Sequence, residues 1–293
     1  MRIFLLNDKA EYNINYRSGL MNELNSRGLK FKSIGLLDSV FSFSYYMISL
    51  MLFDRFFISS NIKSNIVFML FFWRKGVVII NGMGRKRKSH LFRLFIRLLL
   101  KINVRKKIVF QNYADYRYFS FLAKSKYYWV PGSGGNARSL GQSENIVVVS
   151  RDSKLPLIAS SISSAFNLID EESKVVLVGC SKCKVQDYFQ GEQVIGTGFL
   201  PQNDIFSAGY RFFQPSGYGE GIPHTLVDAL CSSMQVYIYK SDYIKFGLHR
   251  LDFKYSVVDG LLLELNYNVQ QASSLSEKVI SLKYLELVDD FEI

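Results

Sequence analysis

Apolar runs of four to six residues, each broken by glycine, asparagine or a charged pair, alternate along this chain with longer stretches of helical spacing. In the first half this pattern predicts strands at residues 2–6, 30–36, 56–59, 77–80 and 108–111. Helices are predicted at 12–27, closed by Gly28, and at 39–52, 64–73 and 89–101, with a shorter one after Gln111. The strand at 77–80 ends in Asn81-Gly82-Met83-Gly84. Residues 131–136, Pro-Gly-Ser-Gly-Gly-Asn, form the best boundary, which divides the chain into domains 1–135 and 136–293. Beyond it, short apolar strands are predicted at 145–150, 174–179, 193–197, 210–213 and 236–239. Strands alternating with helices imply an α/β fold with two Rossmann-like domains, whose parallel sheets face each other across a cleft. Ligands of such sheets lie beyond the carboxyl ends of the strands.

Composition narrows the possibilities. The 293 residues, 48% of them hydrophobic, suit two ordinary domains. The apolar stretches 41–53 and 66–73 are closed by Asp54-Arg55 and Arg74-Lys75. Both fall short of the roughly 18–20 residues a membrane span requires, so buried helices are expected. Asn7, Asp8 and Lys9 interrupt the first apolar run, so a strand rather than a signal peptide is expected there. Three cysteines without a disulfide framework point to a reducing compartment. Cys180-Ser-Lys-Cys183 lacks a second ligand pair and reads as a strand-end turn; His224 and His249 have no zinc spacing. Gly132-Ser-Gly134 and Gly82-Met-Gly84 lack the full dinucleotide fingerprint, which argues against a dehydrogenase.

Charge is divided unequally. Residues 1–141 hold 24 Lys and Arg against 6 Asp and Glu, net +18, and residues 142–293 hold 12 against 19, net −7. The first half is therefore expected to meet an anionic partner. Arg85, Lys86, Arg87 and Lys88 precede a helix in which Arg93, Arg97 and Lys101 recur every four residues among leucine, phenylalanine and isoleucine. An interfacial helix on an anionic leaflet has this pattern, as does a core helix with a solvated stripe. A nucleic-acid binder is the competing class, but no recognised nucleic-acid motif occurs and the acidic half would repel a long polyanion.

The densest chemistry lies at residues 214–230. Arg211-Phe-Phe ends a strand, residues 215–221 form a glycine-rich turn, and Pro223 opens a helix carrying Leu226, Val227 and Leu230. Amides at such a helix start favour an anion. Glu220 before the helix and Asp228 about two turns into it are placed to grip different parts of one ligand, such as a nucleotide sugar. Arg151 and Lys154 follow the first strand of the second half, where a diphosphate fits; a solvated face is the plainer reading of such cations. Residues 196–200, including Phe199 and Leu200, form a strand-to-turn segment suited to pass beside a base.

Pro215-Ser216, Glu220-Gly221-Ile222-Pro223 and residues 226–230 together resemble the donor-site signature of glycosyltransferase family four. Ser150-Arg151 with Lys154 resembles the phosphate-binding pair of that family, over a match spanning about residues 128–265. Aspartate stands at 228 where the family usually has glutamate, Ser232-Ser233 replaces a cysteine-glycine turn, and Asn81 occupies a region where many members carry histidine. The resemblance implies the GT-B fold and retaining transfer from a nucleotide sugar. It gives Asp228 the ribose hydroxyls and Glu220 the donor sugar. Ser216, Gly221, Ile222 and Pro223 surround the donor, and Arg151 and Lys154 neutralise the diphosphate. Asn81, Gly82, Met83 and Gly84 fall on the acceptor side. No Asp-x-Asp element follows a strand, so no metal or other cofactor is expected. The reading is a bacterial enzyme of O-antigen or capsule assembly, peripheral at the inner face of the cell membrane, with a lipid-linked saccharide acceptor. A non-catalytic scaffold that keeps the fold is the alternative.

Overall fold

The computed structural model describes residues 2–53, 55–83, 89–122, 126–168, 170–191, 193–217 and 221–291. Gly84, Arg85, Lys86, Arg87, Lys88 and Glu220 lie outside the described residues.

The first unit contains β1 (Arg2–Asn7), α1 (Glu11–Ser26), β2 (Lys30–Gly35), α2 (Val40–Leu52), β3 (Phe56–Ser60), α3 (Ile62–Leu70) and β4 (Gly76–Ile80). It continues with α4 (His90–Ile102), β5 (Lys106–Phe110), α5 (Tyr113–Phe119) and β6 (Tyr127–Trp129). Its six strands are all parallel in the order β2-β1-β3-β4-β5-β6. β3 and β4 are buried along their whole length, as continuous apolar runs in a parallel sheet must be. One face of the sheet is covered by α2, α3, α4 and α5, through Tyr46, Leu50, Phe68, Met69, Ile96, Leu99, Leu100 and Phe119.

The second unit contains β7 (Ile146–Val149), α6 (Leu155–Ser163), β8 (Val175–Val178), α7 (Lys182–Gln186), β9 (Val194–Gly198), β10 (Arg211–Gln214), α8 (His224–Cys231), β11 (Gln235–Tyr239), α9 (Lys240–Phe246), β12 (Tyr255–Asp259), β13 (Leu262–Leu265) and α10 (Val269–Ser274). Its sheet order is β12-β13-β11-β10-β7-β8-β9; β7 to β11 are parallel, and the β12–β13 hairpin joins antiparallel to β11.

The chain does not divide at a single point. The first unit is residues 1–134, 219–222 and 277–293, and the second is 135–218 and 223–276. The expected boundary at 135/136 lies one residue from the first crossing, but the last helix, α11 (Glu277–Asp289), joins the first unit. Its Ile280, Tyr284, Leu285 and Val288 pack with Leu20 and Leu24 of α1 against the second face of the six-stranded sheet. Glu277 anchors its start by accepting from Gly19 N (2.8 Å) and Ser18 Oγ (2.5 Å).

Each sheet has one point where strand order reverses: between β1 and β3 in the first unit and between β7 and β10 in the second. Loops on either side of such a point diverge and leave a crevice at the carboxyl ends of the strands, where open α/β sheets hold ligands.

Candidate functional site

In the second unit, the reversal point gathers the predicted phosphate pair and part of the predicted turn. β7 ends at Val149, and Ser150 N donates to Val178 O (2.9 Å), which keeps the chain in register with β8 before it turns into the short 3₁₀ turn 152–154. Asp152 fixes that turn by accepting from Ser181 N (2.8 Å) and Ser181 Oγ (2.9 Å). Gly179, with φ +88°, lets β8 end against this segment, where a Cβ would collide with the Ser150 carbonyl oxygen. Arg151 is exposed and Lys154 half-buried. Beside them at the end of β10, Ser216 N donates to Ser161 Oγ of α6 (2.8 Å). Phe199, after β9, is 90% exposed, and Leu200 is half-buried.

Asp228 has a different environment from an open ribose site. It is 1% exposed on α8, where Oδ1 accepts from Asn136 N (2.8 Å) and Oδ2 from Arg138 Nε (3.3 Å) and Nη2 (3.2 Å). His224 Nδ1 lies 3.4 Å from Oδ1. Burial disfavours the imidazolium, but the Asp228 hydrogen bond and charge prevail and move the His224 pKa upward. Three N–H groups and a ring nitrogen thus surround a carboxylate that offers about four lone-pair positions. Ser232, at the place of the altered turn, completes the arrangement: its Oγ donates to Asp228 O (2.7 Å) and accepts from Arg138 N (2.8 Å). Asp228 and Ser232 therefore hold residues 136–138 onto α8. Sequence reasoning missed Arg138 because one arginine after a glycine-rich boundary belongs to no recurrent spacing.

The other predicted turn residues fall elsewhere. Gly221 and Ile222 belong to the first unit, where a Cβ at Gly221 would collide with the carbonyl oxygen of Asn81. A residue predicted for the donor side and one predicted for the acceptor side are thereby neighbours. Pro223 caps the start of α8 in the second unit. Met83 is buried, with its N–H 3.3 Å from Asp115 Oδ2, and Gly82 is half-buried.

A row of carboxamides marks the carboxyl edge of the first sheet: Asn7 ends β1, Asn61 follows β3, Asn81 follows β4 and Gln111 follows β5. The three asparagines are chained, Asn81 Nδ2 to Asn61 Oδ1 (2.7 Å), Asn61 Nδ2 to Asn7 Oδ1 (2.6 Å) and Asn7 Nδ2 to Asn13 Oδ1 of α1 (2.9 Å). Asn81 Oδ1 in turn accepts from Arg17 Nη2 of α1 (3.0 Å).

The cationic helix α4 presents a face that its pattern did not predict. Arg97 stacks 4.6 Å from the Tyr118 ring centroid and Arg93 5.7 Å from it, so an aromatic ring of α5 takes both guanidiniums. The outward residues are Leu91 (77% exposed), Leu94, Phe95 and Leu98, with Lys101 exposed at the end of the helix. In the same layer, α2 and its end expose Phe41 (87%), Met51 and Leu52, and the segment after α3 exposes Phe72 and Trp73. Arg74 ties the ends of α2 and α3 together by donating to Leu50 O and Met51 O, both at 2.6 Å. Arg105 Nη1 donates to Trp73 O (3.3 Å).

All three cysteines are free, and burial pushes the Cys180 thiol up to about 11 and the Cys231 thiol to about 12, which makes both poor nucleophiles. Among the described residues no cluster of His, Cys, Asp or Glu is arranged to hold a metal ion, and no helix is long and apolar enough to cross a membrane.

No protein-family model matches the chain, and no curated protein matches it. Similar solved structures exist. Anabaena Alr3699/HepE, in complex with UDP-glucose, aligns over 99% of this chain and 100% of its own, at 11% identity and a TM-score of 0.63. The UDP-GlcNAc 2-epimerase of Methanocaldococcus jannaschii aligns over 99% of both chains, at 6% identity and a TM-score of 0.56. A UDP-N-acetylglucosamine 2-epimerase described from Listeria monocytogenes aligns over 98% of this chain and 88% of its own, at 11% identity and a TM-score of 0.53. At these identities the likeness establishes the architecture alone: the protein has a GT-B-type fold of two Rossmann-like units, similar to that of HepE and of UDP-GlcNAc 2-epimerases.

Proposed function

We propose that the protein is a nucleotide-sugar-dependent retaining glycosyltransferase resembling family four. One observation supports this reading: Arg151 and Lys154 follow β7 and Ser216 follows β10, the two strands between which the strand order of the second unit reverses. Two cations beside a turn at that position suit a diphosphate, and their support strengthens as negative charge develops on the departing nucleotide. The exposed ring of Phe199 offers a face for stacking a base. That structures of this fold bind UDP-glucose or UDP supports a uridine nucleotide as the first donor to try. Arg151→Ala and Lys154→Ala should each weaken UDP binding about tenfold or more by isothermal titration, the scale of a lost charge-assisted hydrogen bond. Unchanged binding in both variants would remove the site. Product analysis by NMR after incubation with UDP-GlcNAc alone distinguishes epimerisation from transfer or donor hydrolysis.

The acceptor is proposed to be a lipid-linked saccharide of bacterial surface polysaccharide, met by the first unit at an anionic membrane surface. Support comes from the apolar face of α2, α3 and α4, in a stretch of sequence where residues 39–114 hold 14 Lys and Arg and one acidic residue, Asp54. Exposed leucine, phenylalanine and tryptophan flanked by cations suit the headgroup boundary of a bilayer. Leu94→Ser with Leu98→Ser should release the protein from vesicles containing phosphatidylglycerol in a flotation assay. Binding that is unaffected by these changes, or that is stronger to duplex DNA than to vesicles, overturns the membrane reading.

A further inference from the structure

Arg17 is a buried charge without a charged partner. The residue is 4% exposed, and the helix bends at it, since φ −135° and ψ 16° interrupt α1 there. Its guanidinium donates from Nε to Ser60 Oγ (3.3 Å), from Nη1 to Ser133 Oγ (2.9 Å) and from Nη2 to Asn81 Oδ1 (3.0 Å), and it lies 5.3 Å from the Tyr284 ring centroid. Every one of these partners is neutral. Tyr284 also hydrogen-bonds with it, and no carboxylate among the described residues pairs with it. An ion removed from water and balanced only by neutral dipoles costs several kcal/mol, unless an anion completes the site.

The position suggests where that anion comes from. Ser60 ends β3, Asn81 follows β4, and the strand order reverses between β1 and β3, which is where an open parallel sheet leaves its crevice. Asn81, Asn61 and Ser133 are only half-buried, so the edge of this group is reachable from solvent. Asn61 also holds φ +68° and ψ 156°, a conformation nearly confined to glycine, and its side chain bridges Asn81 and Asn7. Strain of this kind persists where the surroundings over-determine a residue, commonly at ligand sites. Arginine's planar fork matches phosphate and carboxylate oxygens, whereas its neutral partners leave that capacity unused.

We propose that Arg17 binds an anionic oxygen group, phosphate in the first instance, of the ligand held at the carboxyl edge of the first sheet. The inference rests on the proposed transferase reading for the two sources of that phosphate: the diphosphate of the nucleotide sugar, or the phosphate of a polyprenyl-linked acceptor. Both present the same chemistry to the guanidinium.

Titration calorimetry of the full chain tests it with three probes, UDP, geranyl phosphate and the uncharged nucleoside uridine, against wild type, Arg17→Met and Arg17→Lys. Arg17→Met should weaken UDP or geranyl phosphate about 10- to 100-fold, Arg17→Lys should retain part of that affinity, and uridine should be unaffected. Loss of UDP alone assigns the donor, and loss of geranyl phosphate alone assigns the acceptor. Unchanged affinity for both anions in Arg17→Met overturns the proposal. Equal weakening of uridine also overturns it, because that marks a purely structural role. Should Arg17→Met not fold, melting of the wild type in phosphate against chloride at equal ionic strength decides the matter. Trp73 and Trp129, both in the first unit, report its unfolding, and no rise in phosphate counts against the site. A wild type that binds geranyl phosphate through Arg17 but no UDP would sink the donor reading while leaving this one standing.

Discussion

Lys106, at the start of β5, is a buried cation whose environment makes a pH-dependent prediction. It is 1% exposed, and its Nζ donates to Phe71 O (2.9 Å) and Asn103 Oδ1 (2.6 Å) while lying 4.6 Å from the Phe68 ring centroid. No acidic side chain of the described residues pairs with it, and desolvation lowers its pKa from 10.5 to about 7. That lowering corresponds to roughly 5 kcal/mol for keeping the ammonium charged in the fold. Below about pH 7 the lysine is protonated in both states and the whole cost is present. As pH rises, the folded protein gives up this proton while the unfolded chain keeps it, so stability climbs until both are neutral above pH 10.5. Between pH 7 and 9 the climb amounts to about 2 kcal/mol. Lys106→Met fills much the same volume and removes the titration. Urea denaturation followed by tryptophan fluorescence at pH 7, 8 and 9 should show wild type gaining about 2 kcal/mol on the variant. A difference between the two proteins that stays constant across this range would refute the reasoning.

Two further substitutions probe the packing around the predicted site. Arg138→Met strips the buried Asp228 carboxylate of its guanidinium partner, leaving only Asn136 N and the His224 ring beside it, and should destabilise the second unit by about 3–5 kcal/mol, with part of the loss recovered in Arg138→Met/Asp228→Asn; circular dichroism melting reads both. Gly221→Ala pushes a methyl group into the Asn81 carbonyl and should weaken UDP binding more than it lowers the melting temperature, since the turn rather than the core must shift.

The strand and helix succession was readable because a parallel sheet buried on both faces demands continuous apolar runs, and β3, β4 and β7 supply them. Strand-end residues were readable for the same reason, and Arg151 and Lys154 do follow β7. The destination of α11 was not. Its apolar positions show that it is buried on one side, but Leu20 and Leu24, which it meets, stand more than 250 residues away and their own spacing fits any partner. The outward face of α4 was misjudged on similar grounds. A period of four placed Arg93, Arg97 and Lys101 on one stripe, and charge usually seeks water, yet Tyr118 offers the two arginines a ring face and leaves the leucines outside.

Asp228 and Arg17 show how the same limitation decides the chemistry. Spacing identified Asp228 as a carboxylate near a glycine turn, but whether a carboxylate is free for a ribose depends on which donors reach it first. Here Asn136 and Arg138 do, from the end of the glycine-rich boundary, which the spacing of residues 214–230 does not reveal. Arg17 is the converse. It lies in a stretch of asparagine, tyrosine and serine with little amphipathic pattern, and only the fold reveals that this cation meets four neutral partners and no carboxylate. Composition located the excess positive charge in the first unit, and topology shows where one of those charges is left to be balanced. If balancing that charge is what a ligand contributes, occupancy should tighten the row Asn7, Asn61, Asn81 as well as Arg17. Hydrogen exchange of the amides at 61–62 and 81–83 should then slow when the anion binds wild type and remain unchanged in Arg17→Met.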